Sequence, residues 1–260
     1  MKATSIPAYE NTFANTGKDS HGKQFILSPK SVKFNNNTEV MNYVDCKRSN
    51  NDSSFYTAQE IEKKRIVLHF TEGYLKGDIA TLTQPGNMVS TPFVIARNGT
   101  IYNLWASKFW SYHLGPGAVG GNTDMSKSSI GIEISNIGPL KKVGNNLVTQ
   151  YGNTDVYCSL NDTHLYHNLS PAYRGNKYYA AFTTAQYNAV ISLLRFLTNK
   201  YNIPRSFLAV PNRYNLFTSN AEAIAYRGIC SHVNFRPVGE KVDIGPAFNW
   251  DMVIQAVQAS

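Results

Sequence analysis

Cysteine is scarce in this chain: Cys46, Cys158 and Cys230 are the only three, far apart in 260 residues. An odd number at wide spacing leaves no disulfide framework, and no Cys-x-x-Cys pair is present. The pattern fits a reduced compartment, with room for one disulfide at most. Long apolar runs are also missing. No stretch approaches the roughly 20 residues that cross a bilayer, so stable membrane insertion is not expected. The opening MKATSIPAYENTF has one Lys and no apolar core, and no signal peptide is read there. No internal repeat is evident. Charged residues make up only 16% of the chain against 42% hydrophobic, a globular balance and not a disordered one. The length suits one large domain, or one domain with an extension.

The formal net charge is +8. Such a surface favours polyanions, among them nucleic acid, anionic lipid and a carboxylate-rich bacterial wall. The basic residues are scattered, with short clusters at Lys63-Lys64-Arg65 and Lys141-Lys142. No RNA-binding signature and no long basic helix is visible, so nucleic acid is not an expected partner.

Residues 1–60 are polar and rich in Asn, Ser, Lys and Thr, and read as an N-terminal extension. Short segments at Phe25-Ile26-Leu27 and Val40 to Val44 offer apolar docking points. Strand signals are good beyond that. Arg65 to Phe70 is β-rich. Thr91 to Ala96 and Thr100 to Leu104 flank Asn98-Gly99, a strong hairpin turn. Ile130 to Ile134 alternates. Thr184 to Tyr201 carries a helical stripe through Tyr187, Val190, Ile191, Leu194 and Leu197, and Pro204 ends it. Pro246 reads as the first turn of a last helix through Trp250, Val253 and Val257. Residues 141–174 read as a long polar insertion loop or excursion. The expected fold class is α/β, a mixed central sheet flanked by helices, over residues 61–260.

Three stretches carry chemistry. On a strand, Ile66, Leu68 and Phe70 share one face and Arg65, Val67 and His69 the other. His69 therefore faces away from the apolar side, where the strand opens into Thr71-Glu72-Gly73. Glu133 likewise shares a face with Gly131 and Ser135, opposite three isoleucines. It is either an edge-strand carboxylate in solvent or a buried one that needs a partner or a task. The third stretch runs from Cys230 to Trp250. His232 ends an apolar segment, a Pro/Gly loop follows, and an extended Lys241-x-Asp243 would turn a cation and an anion the same way. A surface ion pair is the plainer reading of those two.

Taken in order, IVLHFTEG around His69, the hairpin VSTPFVIARNGTIY, His113 in WSYHLG, SIGIEI around Glu133 and SHVNFRPVGEKVDIGPAFNW resemble the type 2 N-acetylmuramoyl-L-alanine amidases. That family includes wall-recycling amidases, amidase-type phage lysozymes and peptidoglycan recognition proteins. The blocks cover roughly residues 61 to 256. The resemblance implies one zinc ion held by His69, His232 and Asp243, an arrangement that leaves a coordination position open. It implies Glu133 as the catalytic carboxylate, Lys241 beside it, and His113 in a substrate groove. Trp110 and Tyr112 are candidate groove aromatics that would stack on sugars, or else belong to the core. Pro246 and Trp250 match structural positions near the last helix. The hairpin position held by a catalytic tyrosine in some branches is Thr91 here, so that role does not transfer. Cys230, two residues before His232, is a rival ligand. His164, His167 and His21 read as surface residues.

The implied activity is hydrolysis of the amide between N-acetylmuramic acid and L-alanine, with the glycan strand and stem peptide of peptidoglycan as partner. The alternatives are a non-catalytic peptidoglycan binder of the same fold, or a wall-degrading component of a phage or secretion machine. The expected place of action is the wall or periplasm after release or delivery, ahead of cytoplasmic recycling.

Overall fold

A computed structural model describes residues 1–259 of the chain. Its centre is a seven-stranded mixed sheet in the order β1-β2-β5-β4-β6-β3-β12. The strands are β1 (Phe25–Phe34), β2 (Glu39–Arg48), β3 (Arg65–Phe70), β4 (Phe93–Ile95), β5 (Ile101–Asn103), β6 (Ser129–Ile134) and β12 (Gly228–Ser231). β4, β6, β3 and β12 run parallel, and every residue of β3 is buried. Parallel strands are covered on both faces, which is why β3 reads as a nearly continuous apolar run.

One face packs on α4 (Thr184–Tyr201) and α6 (Trp250–Gln258). Ile66, Leu68, Ile130, Ile132, Val190 and Leu194 meet in that core with almost no exposure. Each such side chain contributes about 1.5–3 kcal/mol on burial. α4 begins with a reciprocal cap between Thr183 and Gln186 and ends at Asn202 in the left-handed conformation. The last helix starts later than the proline suggests. Asn249 caps it by accepting from the Met252 amide at 3.1 Å, and Pro246 lies in the turn before. A side-chain cap outweighs a proline signal here.

The opposite sheet face carries Val67, His69 and Glu133. Two smaller cores flank it. One gathers Val67, Met125, Cys230 and Phe235, the other Val94, Tyr102, Phe13 and Phe25. The second borrows from residues 1–60, which hold α1 (Ile6–Thr16) and the β1–β2 ribbon with ten paired positions. β2 joins the sheet at Val44 and Tyr102.

Residues 141–174 are not a loop. They build most of a second, antiparallel sheet in the order β10-β11-β7-β8-β9. Its strands are β7 (Pro139–Val143), β8 (Asn146–Val148), β9 (Val156–Ser159), β10 (Tyr166–Tyr173) and β11 (Asn176–Ala180). The sheet buries Leu140, Leu147 and Tyr157 with Ile6, while β10 is mostly exposed or half-buried. That exposure explains the polar composition. The remaining helices are α2 (Leu75–Leu82), α3 (Asn122–Lys127) and α5 (Asn220–Ala225). All three cysteines are free and buried. No helix among the described residues is long and apolar enough to cross a membrane.

Candidate metal centre

His69 and Glu133 sit opposite each other on β3 and β6, in register. β6 lies between β4 and β3, so Glu133 is on a central strand and not an edge. His232 follows β12, the next strand over, in a single helical turn. Asp243 returns to it through the loop, where its carbonyl accepts from the Val233 amide at 2.9 Å. Three elements thus bring three donor atoms together. His69 Nδ1 is 3.0 Å from His232 Nδ1, His232 Nδ1 is 2.9 Å from Asp243 Oδ2, and His69 Nδ1 is 3.3 Å from that same oxygen. All three side chains are buried.

The outer hydrogen bonds set which nitrogen carries the proton. The Ser129 hydroxyl donates to the Met125 carbonyl at 2.5 Å. His113 Nε2–H therefore donates to Ser129 Oγ at 2.8 Å, and His113 Nδ1 is left to accept from His69 Nε2–H at 3.0 Å. Burial holds His113 well below its ordinary pKa and lowers His69 to about 4, with His232 adding to the shift at His69. Both rings are thus neutral near pH 7, and His69 Nδ1 presents a lone pair. His232 Nε2–H donates to the Leu114 carbonyl at 3.1 Å, which turns its Nδ1 inward as well. Burial works against ionisation of Asp243, and protons on the facing nitrogens of His232 and His69 would outweigh it and hold the carboxyl below its usual range. Where those nitrogens carry lone pairs, a cation among the three takes that place.

Two inward lone pairs and a carboxylate within 3.3 Å of one another repel unless a cation sits among them. A tetrahedral zinc ion with bonds of about 2.0–2.2 Å asks for donors some 3.3 Å apart. The donor types suit zinc, and the outward His N–H bonds are the usual supports of metal-binding histidines. The residues fit the ion.

A cavity of about 150 Å³ opens beside this cluster. Thr71, Glu72, Thr91, Glu133 and Lys241 share its wall with the cluster. Glu133 Oε2 is buried with no hydrogen-bond partner among the described residues. Burial first, then the carboxylates of Asp243, Asp78 and Glu72, push the Glu133 pKa well up, and Lys241 opposes them.

A family model described as N-acetylmuramoyl-L-alanine amidase matches residues 59–246. The chain belongs to that family. No curated protein matches it by sequence. Among solved structures, this family member is similar to the amidase AmiD of E. coli, solved with an anhydromuramyl peptide. The two share 23% identity over 77% of this chain and 59% of that one, with a TM-score of 0.48. AMPDH3 of Pseudomonas aeruginosa gives 18% identity over 77% and 61%, TM-score 0.46. The endolysin amidase LysCS of Clostridium intestinale gives 15% over 77% and 86%, TM-score 0.39. The chain spans about three-fifths of the length of the first two.

The structure brings His69, His232, Asp243, Glu133, Lys241 and His113 to one cavity of this amidase-family chain. His113 stands behind His69 with both ring nitrogens engaged, which leaves none for a substrate. Trp110 and Tyr112 do not line the cavity. Trp110 is buried against Tyr112 and Lys127. Cys230 lies in the core with its thiol near the Ile66 carbonyl, and burial pushes its pKa up to about 12, so it stands outside the ligand cluster. His164, His167 and His21 are exposed. Sequence reasoning missed Ser129 and the Leu114 carbonyl. Ser129 shares the alternation face of Gly131 and Glu133, so that pattern held a signal for it. A backbone acceptor such as Leu114 carries none.

Proposed function

We propose that this protein hydrolyses the amide between N-acetylmuramic acid and L-alanine in peptidoglycan, using one zinc ion on His69, His232 and Asp243. The observation that carries the reading is the inward-facing donor triangle beside a glutamate whose buried Oε2 has no hydrogen-bond partner. Zinc bound there supplies a water of pKa roughly 7 and polarises a carbonyl.

The chain's own residues do the rest. Glu133 accepts the proton of the attacking water and hands it to the departing L-alanine amine. Burial raises its pKa, so it holds a proton more readily than a free glutamate and suits a group that must both take and give one. Lys241, on the cavity wall, stabilises the oxyanion of the tetrahedral intermediate. Asp243 stays ionised and balances charge. The cavity is small, so it takes the scissile amide and its neighbours, while the glycan lies across the surface outside it. Any contact from Trp110 or Tyr112 would be made out there. The net charge of +8 favours intact, carboxylate-rich wall as substrate, and on this reading the protein acts at the wall.

The test is mass spectrometry of digested sacculi. New L-alanine amino termini, no new reducing sugar ends, loss with chelator and recovery with zinc are expected. A glycosidase would generate reducing ends through paired carboxylates, and reducing ends that survive chelation would overturn the reading. Wall binding with no peptide release would favour a non-catalytic binder instead.

A further inference from the structure

The second sheet approaches the loop that bears Asp243 through the tip of its β10–β11 hairpin. Arg174 and Gly175 form the two-residue turn between β10 and β11, both at positive φ, with Tyr173 paired to Asn176. Positive φ is disfavoured for an arginine, so the turn is held by its surroundings. Asn176 Nδ2 donates to the Arg174 carbonyl at 3.1 Å, and the Tyr179 hydroxyl donates to the Tyr173 carbonyl at 2.9 Å. The Tyr173 ring packs against Gly245, where a Cβ would come within 2.3 Å of it. The hairpin tip is thus locked against the segment that bears Asp243.

From that tip the half-buried Arg174 guanidinium donates to three carbonyls. They belong to Lys241, to Val233 at 3.4 Å and to Tyr214 at 3.4 Å. Val233 follows His232, and Lys241 stands two residues before Asp243. The Val233 amide also donates to the Asp243 carbonyl. Loop 236–241 is exposed or half-buried throughout and carries neither strand nor helix. Within the loop Arg236 pairs with Glu240, and the Glu240 amide donates to the Pro237 carbonyl at 3.2 Å. These bonds shape its tip, while the Val233–Asp243 amide bond and Arg174 tie its two ends. A planar guanidinium spreads five donors over a rigid fork and so spans carbonyls set farther apart than the compact ammonium of a lysine reaches.

We propose that Arg174 is a positioning residue for the metal centre, and that the β10–β11 hairpin exists in part to deliver it. By tying the chain after His232 to the chain before Asp243, it sets the spacing of two ligands and the approach of Lys241. The proposal rests on the zinc amidase reading above.

The experiment uses the full chain with Arg174→Ala, Arg174→Lys and Asp243→Ala. Zinc affinity is read by competition with a chromophoric chelator, loop order by tryptic cleavage after Lys241 in zinc-free protein, and turnover on a soluble muropeptide. R174A should bind zinc roughly tenfold more weakly, the low end for residues that support ligands from outside the coordination sphere. It should be cut faster after Lys241 and lose kcat more than KM. Its zinc-free thermal midpoint should fall by no more than about 4 °C. R174K should fall between, since it reaches one carbonyl. Wild-type zinc affinity and cleavage rate in R174A, with zinc lost in D243A, overturn the proposal and leave the amidase reading standing. A wild-type chain that binds no zinc overturns both. If R174A does not fold, R174K gives the same readings, and wild-type behaviour there overturns the proposal.

Discussion

His69 Nε2 donates to His113 Nδ1 at 3.0 Å, and this bond decides which nitrogen of His69 is free to bind a cation. His113 can accept there because its other nitrogen carries the proton and donates to Ser129 Oγ. Replacing His113 with Ala removes the acceptor and lets His69 choose the other tautomer or turn. Zinc affinity should fall by about 10- to 100-fold, the usual range for such supports. Competition with a chelator of known affinity measures it. Unchanged affinity would show that His69 is oriented by packing alone.

Glu133 is half-buried on a central strand, its Oε2 is buried without a hydrogen-bond partner, and its pKa is raised chiefly by burial. Glu133→Gln keeps the shape and removes the charge. Activity on sacculi should drop by roughly 10² or more, while zinc content stays at one per chain. The variant should be at least as stable as the parent near pH 8, because an unpaired buried carboxylate is costly. Turnover near the parent's would remove the role assigned to Glu133.

The strands that hold the centre are readable because their alternation is undisguised. Ile66, Leu68 and Phe70 leave His69 on the other face, and three isoleucines do the same for Glu133. α4 is readable from its stripe. The second sheet is not, because β10 is open to solvent and carries Asn168, Ser170 and Pro171 where an apolar alternation would be expected. The ribbon β1–β2 is hidden for a similar reason, since few positions between Phe25 and Phe34 are buried. Arg174 leaves no trace because its partners are backbone carbonyls, and any sequence supplies those. The place of Trp110 and Tyr112 is set by a bridge to Thr57 and packing under Lys127, contacts distant in sequence or across a turn.

The N-terminal segment carries a pH dependence. Glu10 on α1 is buried, and its Oε2 accepts from the Arg97 amide at 2.9 Å while Oε1 has no partner. Burial raises its pKa from 4.5 to about 7. The Arg97 amide bond and charge oppose this, and buried Asp78 adds to it. The folded state therefore holds the proton more tightly than the unfolded one. This contribution to stability is full below about pH 4.5 and is lost as pH rises through 7. Glu10→Gln keeps an acceptor for the amide and cannot ionise. It should match the parent at pH 5 and exceed it by about 1–3 kcal/mol at pH 8. Urea titrations at both pH values measure this, and an equal difference at the two would mean that Glu10 does not titrate in this window.

Gly131 gives a test of the whole arrangement from beneath. It lies on β6 between Ser129 and Glu133, on the same face. A Cβ there would meet the Thr91 methyl carbon at 2.6 Å and His113 Cγ and Nδ1 at 3.1 Å. Thr91 and His113 are both buried, so neither side has room to withdraw. His113 Nδ1 is the atom that accepts from His69, and a shift there passes to the ligand. Gly131→Ala should therefore cost about 1–3 kcal/mol through overpacking and also weaken zinc binding. The two effects separate in thermal unfolding with and without zinc, because ligand stabilisation depends on affinity for the folded state. The zinc-free midpoint should drop, and the further gain on adding zinc should shrink. Gly152→Ala is the control, since a Cβ there meets nothing within 4 Å. If Gly131→Ala lowers both midpoints equally, the glycine serves packing alone and the line from Gly131 through His113 to His69 is broken.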